Sequence, residues 1–409
     1  MPRSPRSCPD KNTCKSLAVP CLLLLLITGC AWPTYRQNQY RSGRSSIDTS
    51  SNTGTLQWSH NFGPGPLYST AGPLVGIASP TLGGIYVGDS AGNLYSFTPA
   101  GTIAWTLGLP TTNGAIPSAM GLDGTVYVAD AFGSLYAVSS SGTLKWNFSP
   151  PGGLSQSAEL ATSTNCTAAA GCETTIYTGT QCGVVYALNS GGSVKWTFGA
   201  FQGDCSQLTP TISPAIAADG TIYSGVYSPQ GTGVLFALNS DGTLRWSSNA
   251  YAGTPAIDPN SGIIYVVSLD MQHLYALNSG GFLQWQLDAP HSFTLPAIAS
   301  DGTLYMGTFG SGLWAVNPNG TIKWQTSPGG QSDFDAPPTI GGDGTIYVAY
   351  GSLYAVNPNS TLKWSTPLCG GAGADLGVDE PVIGSDGTIY LRGEGALNGA
   401  GYCPLEAFQ

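Results

Sequence analysis

Eight times along this chain a tryptophan closes an apolar-x-Trp triplet: Leu56-Gln57-Trp58, Ile103-Ala104-Trp105, Leu144-Lys145-Trp146, Val194-Lys195-Trp196, Leu244-Arg245-Trp246, Leu283-Gln284-Trp285, Ile322-Lys323-Trp324 and Leu362-Lys363-Trp364. The intervals are 47, 41, 50, 50, 39, 39 and 40 residues. Three further segments recur between successive tryptophans. One carries Pro before small or branched residues, as in Pro255-Ala256-Ile257 and Pro296-Ala297-Ile298. A second holds a tyrosine, at 86, 127, 177, 223, 265, 305, 347 and 390, and follows an Asp-Gly turn at 125–128, 221–224, 303–306, 345–348 and 388–391. A third reads Leu-Tyr-Ala-Val or a relative, as at 135–138, 185–188, 274–277 and 353–356. Period-two alternation with Asp-Gly punctuation predicts short strands joined by tight hairpins. Four strands per ~40–45 residues is the size of a propeller blade.

Counting the segments predicts how the ring closes. The eighth Leu-Tyr-Ala relative, Leu405-Glu406-Ala407-Phe408, ends the chain, so no Trp strand follows it. The strand around Trp58 has no blade before it. The fold class expected is therefore all-β: an eight-bladed β-propeller of four-stranded blades, closed by the N-terminal strand completing the last blade. Closure of this kind leaves no open sheet edge across the ring. A β-helix would show shorter repeats, and a sandwich would not return eight equivalent units. The low charge (9% Asp, Glu, Lys and Arg) would suit disorder, but ten Trp, twenty Tyr and twelve Phe supply a core. The eight repeat tryptophans are read as structural, docking one blade on the next. Lys145, Lys195, Arg245, Lys323 and Lys363, each preceding such a Trp, are read as a solvated outer rim.

The first thirty residues read as an export signal. Arg3, Arg6, Lys11 and Lys15 form a basic n-region before the apolar run Leu17–Thr28. That run is shorter than the ~20 residues of a spanning helix. It ends in Ile27-Thr28-Gly29-Cys30, which resembles the bacterial lipobox and implies lipid on Cys30; the bland reading is an ordinary signal peptide with a nearby cysteine. Ala31 after the cysteine implies, by the lipoprotein sorting rule, the outer membrane facing periplasm or surface. The domains expected are residues 1–29 as signal peptide, 30–54 as a lipidated arm and 55–409 as the propeller. Loss of residues 1–29 leaves nine basic against twenty-two acidic residues. So acidic a surface repels nucleic acid.

Six cysteines remain once Cys8, Cys14, Cys21 and Cys30 are set aside. They allow fifteen pairings. Propeller topology places Cys166 and Cys172 in one loop of the third blade. It places Cys182 and Cys205 on one face around that blade, and Cys369 and Cys403 on the same face around the eighth. The bridges expected are 166–172, 182–205 and 369–403, in keeping with export. A metal site is the competing reading, but the spacings are not Cys-x₂-Cys.

Candidate chemistry is sparse. Gly88-Asp89-Ser90-Ala91-Gly92 matches G-x-S-x-G, yet it joins two strands where a nucleophile elbow needs a strand and a helix. A hairpin turn explains it better. His60, His273 and His291 fall on different blades, and Gly370-Gly371-Ala372-Gly373 lacks the following helix of a phosphate cradle. Asp123, Asp219, Asp241, Asp301, Asp343 and Asp386 sit in Asp-Gly turns on one face. A second set, Asp89, Asp130, Asp204, Asp270, Asp333, Asp335, Asp375, Asp379 and Glu380, falls on the opposite, longer-looped face, the better candidate for binding. Asp335, Asp379 and Glu380 precede innermost strands, where they could line the channel mouth and hold a cation such as Ca²⁺; solvated acids are the bland alternative.

The repeat itself resembles the PQQ-like (quinoprotein-type) propeller family over about residues 55–409. The resemblance is carried by units such as Asp219-Gly-Thr-Ile-Tyr-Ser, Leu235-Phe-Ala-Leu-Asn and Gly242-Thr-Leu-Arg-Trp246, with the lead-in Trp32-Pro-Thr-Tyr-Arg-Gln-Asn running to Arg41-Ser-Gly43. The family spans quinone-dependent dehydrogenases, polysaccharide-associated proteins and the propeller lipoprotein of the outer-membrane barrel-assembly machinery. That last relative shares anchor, blade number and length. The resemblance implies a membrane-anchored, non-catalytic monomeric ring that presents loops to envelope proteins and carries no cofactor. A PQQ- and calcium-dependent dehydrogenase is one alternative, but it would show adjacent cysteines, which are absent here. A surface carbohydrate-binding protein is the other, using Tyr68, Phe201, Tyr251, Phe293 and Phe334.

Overall fold

The computed structural model describes residues 41–62, 73–79, 83–121, 123–130, 133–150, 161–167, 171–199, 211–227, 233–368, 379–392 and 405–409. Its described strands form eight four-stranded antiparallel sheets, seven of them in simple chain order. The one helical element among the described residues is a 3₁₀ turn at Pro328–Gly330.

Blades 1 to 7 begin with the innermost strands at Leu74–Ser79, Ile116–Met120, Ala161–Thr167, Thr211–Ile216, Gly253–Ile257, Ala297–Ile298 and Thr339–Ile340. The eighth sheet is ordered Val382–Ile383, Ile389–Arg392, Leu405–Phe408 and Leu56–His60, so the two ends of the described chain share one blade. Trp58 stands opposite Ala407. The same pairing recurs elsewhere, as Ala137 with Trp146, Ala237 with Trp246 and Ala355 with Trp364. The borrowed strand is in register with the seven continuous ones.

Each blade also carries a β-bulge at the residue before its Trp: Val138 faces Leu144 while Ala137 faces Trp146, leaving Lys145 as the extra residue. The closing blade repeats the shift between Leu56 and Trp58. A bulge raises local twist and bends an edge strand away from pairing.

The Trp rings explain why eight such sheets pack into a ring. Each indole lies against the second-strand tyrosine of its own blade, with centroids 5.9 Å apart for Tyr127–Trp146, 5.8 Å for Tyr223–Trp246 and 5.9 Å for Tyr390–Trp58. Its N–H donates to a carbonyl in the last hairpin of the next blade: Trp58 to Pro99, Trp105 to Ser140, Trp196 to Ser240 and Trp324 to Pro358. Beneath the ring lies a turn glycine in the left-handed region. A Cβ on Gly242 (φ +86°) would stand 2.6 Å from Trp196. In blade 7 that turn position is Ser360, at φ 73°.

Burial behind the indoles pushes the second-strand phenols up, Tyr223 and Tyr305 to about 12.

Residues 41–54, set apart in the sequence as an arm, are built into the ring. Arg44 bridges in parallel to Ile340 of the blade 7 innermost strand, and Ile298 of blade 6 donates to Ser42 O. Arg41, buried, donates to Ser213 O of blade 4. Asn52 then ties the seam, donating through Nδ2 to Gly387 O and Phe408 O while its own carbonyl receives Trp364 Nε1. The structural unit therefore starts before residue 55.

Candidate functional site

The hairpins joining strands 1–2 and 3–4 of every blade share one face, called here the turn face. The 2–3 hairpins and inter-blade connections share the other, the loop face.

On the turn face the basic residues read as a solvated rim are tied down. Lys145 Nζ lies 2.9 Å from Asp123 and 2.6 Å from Thr125 Oγ1. Arg245 repeats this with Asp219 at 3.0 Å and Thr221 at 2.6 Å. Lys323 and Lys363 reach Asp301 and Asp343 at 3.6 and 3.7 Å, and Lys195 donates to Thr175. The bulge turns each cation back toward the first hairpin of its own blade, an Asp-Gly-Thr turn in every case but that of Lys195. Partial burial pushes the Asp123 and Asp219 carboxyls up, but hydrogen bonds from the Thr and the cation outweigh it, so both end below the usual range.

On the loop face many of the acids do structural work. Asp89 accepts from the backbone N–H of Ala91 and Asn93, from Asn93 Nδ2 and from the Tyr95 hydroxyl. The G-x-S-x-G match is thus a hairpin organised by its Asp. Asp130 does the same for Gly133, Ser134 and Tyr136. His273 sits between Asp288, 2.7 Å from Nδ1, and Asp270, 3.5 Å from Nε2. Asp270 lies in the 2–3 hairpin and Asp288 ends the outermost strand of the same blade, and their convergence on one histidine left no spacing signal in the sequence.

Asp335, Asp379 and Glu380 do not form the channel-mouth site that their positions suggested. Asp379 is spent on a buried ion pair, its Oδ2 3.2 Å from Arg392 Nε, with side chains 2% and 1% exposed. Arg392 also donates to Gly88 O of blade 1, joining the closing blade to the first. Glu380 is buried and faces Thr339 Oγ1 at 3.4 Å. Asp335 is solvent-exposed; desolvation by the surrounding protein still pushes its carboxyl up, outweighing two backbone hydrogen bonds, with a smaller push from Asp333. Among the described residues no three His, Cys, Asp or Glu side chains converge to hold a metal.

The aromatics proposed for glycans are also placed. Phe293 and Phe334 are fully buried, edge-on to Trp314 and Tyr354, holding the loops down. Tyr251 is half-buried against Tyr275. Tyr68, Phe201, Asp204, Asp375 and the glycine run 370–373 lie outside the described residues, as do Cys30, Cys205, Cys369 and Cys403. Cys182 is disulfide-bonded. Cys166 and Cys172 stand directly opposite each other on paired strands, where a loop was expected, because the first hairpin of blade 3 is longer than its counterparts.

This geometry defines a class: an eight-bladed propeller with Trp-docked, quinoprotein-type repeats. The family model described as outer membrane protein assembly factor BamB matches residues 43–199 and 181–396. The chain belongs to that family of PQQ-type propellers. Among solved structures, BamB from Moraxella catarrhalis matches with a TM-score of 0.60 at 14% identity, covering 87% of this chain and 100% of that one. The C-terminal WD40 domain of Sif2 gives a TM-score of 0.60 at 13% identity, covering 87% and 100%. Sqt1 from Saccharomyces cerevisiae gives 0.62 at 12%, covering 87% and 99%. Likeness at such identity concerns the fold alone. No curated relative matches the chain.

Proposed function

We propose that this protein is a non-catalytic propeller scaffold of the bacterial envelope, tethered to the outer membrane through a lipid on Cys30 and presenting its loop face to other envelope proteins. The observation that carries the reading is the match to an outer-membrane assembly factor family across both halves of the ring. The anatomy of the faces supports it. The turn face is consumed by repeat contacts, whereas the loop face varies from blade to blade, which is where a rigid scaffold carries function. Of the aromatics the glycan-binding reading would use, Phe293 and Phe334 are buried.

The test is photo-crosslinking in cells from Ser90 and Phe309 on the loop face against Phe282 on the turn face, alongside the mass of the mature N-terminal peptide. A diacylated, N-acylated Cys30 and protein adducts confined to the loop face are expected. An unmodified N-terminus removes the anchor. Adducts absent from every loop-face position remove the scaffold.

A further inference from the structure

Charge and apolar exposure are distributed unequally over the ring. Among the described residues, every exposed or half-exposed lysine, and Arg245, belongs to the turn face, four of the five held by Asp-Gly-Thr turns and Lys195 by Thr175. Arg41 and Arg392 are buried, and Arg44 lies in the inner wall beside Ile340. The described loop face thus carries carboxylates, Asp270, Asp288, Asp333 and Asp335, with no lysine or arginine among them.

Over blades 5 and 6 the same face exposes two large apolar side chains, Met271 at 53% and Phe309 at 58%. They are neighbours. Phe293 N donates to Met271 O, and Phe309 N donates to Ser292 O, so consecutive residues of one loop hold both hairpin tips. Gly310 and Gly312 next donate to Ser332 O, which brings Asp333 and Asp335 to the same side of the patch. Met271 takes φ +58°, a left-handed conformation uncommon for a non-glycine residue, and the Asp270 turn holds it there, with Asp270 accepting from Gln272 N. The tip is set rigidly with its apolar side chain outward.

We infer that Met271 and Phe309, rimmed by Asp270, Asp288, Asp333 and Asp335, form a docking surface for a protein segment that combines apolar anchors with lysine or arginine. Charge complementarity selects this occupant. Apolar anchors at the centre with a charged rim is the anatomy of protein interfaces, and a rim of one sign steers a partner of the other. An anionic lipid surface would be repelled. The inference rests on the scaffold reading and adds where the partner sits and what it is made of.

The test titrates the full chain with two ten-residue peptides sharing a central Leu-Phe pair, one flanked by lysines and one by glutamates. The lysine peptide is expected to bind at least tenfold more tightly, and more weakly as salt rises. The Met271→Gln/Phe309→Gln pair is expected to lose at least tenfold in affinity at an unchanged melting temperature, while Phe282→Gln, 71% exposed on the turn face, leaves it unaltered. Should the double variant not fold, Asp335→Asn carries the test through charge. Equal binding of the two peptides, no binding of either, or equal loss in Phe282→Gln overturns the proposal. In cells, adducts from Ser90 but none from Phe309, or a Phe309 adduct on lipid or on an acidic peptide, overturns it while leaving the scaffold standing. No adduct from either position removes the scaffold reading itself.

Discussion

The turn face and the loop face are built from the same four strands, yet they differ in how they spend their polar and aromatic groups. On the turn face each blade repeats one solution, Trp over Tyr and indole N–H to the next blade's carbonyl, and blades 2, 4, 6 and 7 add a cation held by an Asp-Gly-Thr turn. On the loop face an Asp organises the hairpins of blades 1 and 2, a His and two Asp serve blade 5, and a buried Arg–Asp pair joins blade 8 to blade 1. A ring needs identical joints on one side to close. Once it has closed, the other side is free to vary.

Perturbations of increasing subtlety break this contrast. The largest is alkaline pH. The phenols behind the indoles have folded pKa values raised above the unfolded value of about 10, so they stabilise the ring below pH ~10 and this is lost as pH climbs toward their folded values. Absorbance at 295 nm should rise in two stages: exposed tyrosines such as Tyr227 ionise near pH ~10 with native dichroism, and the buried second-strand phenols ionise only as the dichroism is lost. A phenolate amplitude accounting for all the tyrosines while the dichroism stays native would contradict the burial.

Next is Trp246→Ala, which removes one joint: a loss of about 3–5 kcal/mol is expected in denaturant titration. Smaller is Asp89→Ala on the loop face, which leaves two backbone N–H groups and the Tyr95 hydroxyl without their acceptor; about 1–2 kcal/mol is expected, with faster hydrogen exchange confined to the blade 1 hairpin. Ser360→Gly should gain about 0.5–1 kcal/mol, since seven equivalent turns use glycine in the left-handed region. Smallest is Lys145→Met. An exposed ion pair is worth ~0.2–1 kcal/mol, so the melting temperature should fall only slightly, and less in high salt.

The sequence by itself determined the ring. Trp, Tyr, turn glycine and Asp-Gly recur at fixed offsets, each blade docks on the next through the same few atoms, and such short-range, repeated contacts are visible as a count. The count also specified closure, because Leu405–Phe408 lacked an outer strand and Leu56–His60 lacked a blade. Even there, the bulge that returns Lys145 to Asp123 was hidden, because simple alternation points that lysine outward.

Tertiary structure alone decided what non-repeated residues do. Asp379 became the partner of Arg392, Phe334 turned inward onto Tyr354, and residues 41–54 were laid against four blades far away in sequence. Each outcome depends on which group a neighbouring loop brings within a few ångströms. That distance is set by the closed ring, and no local pattern encodes it.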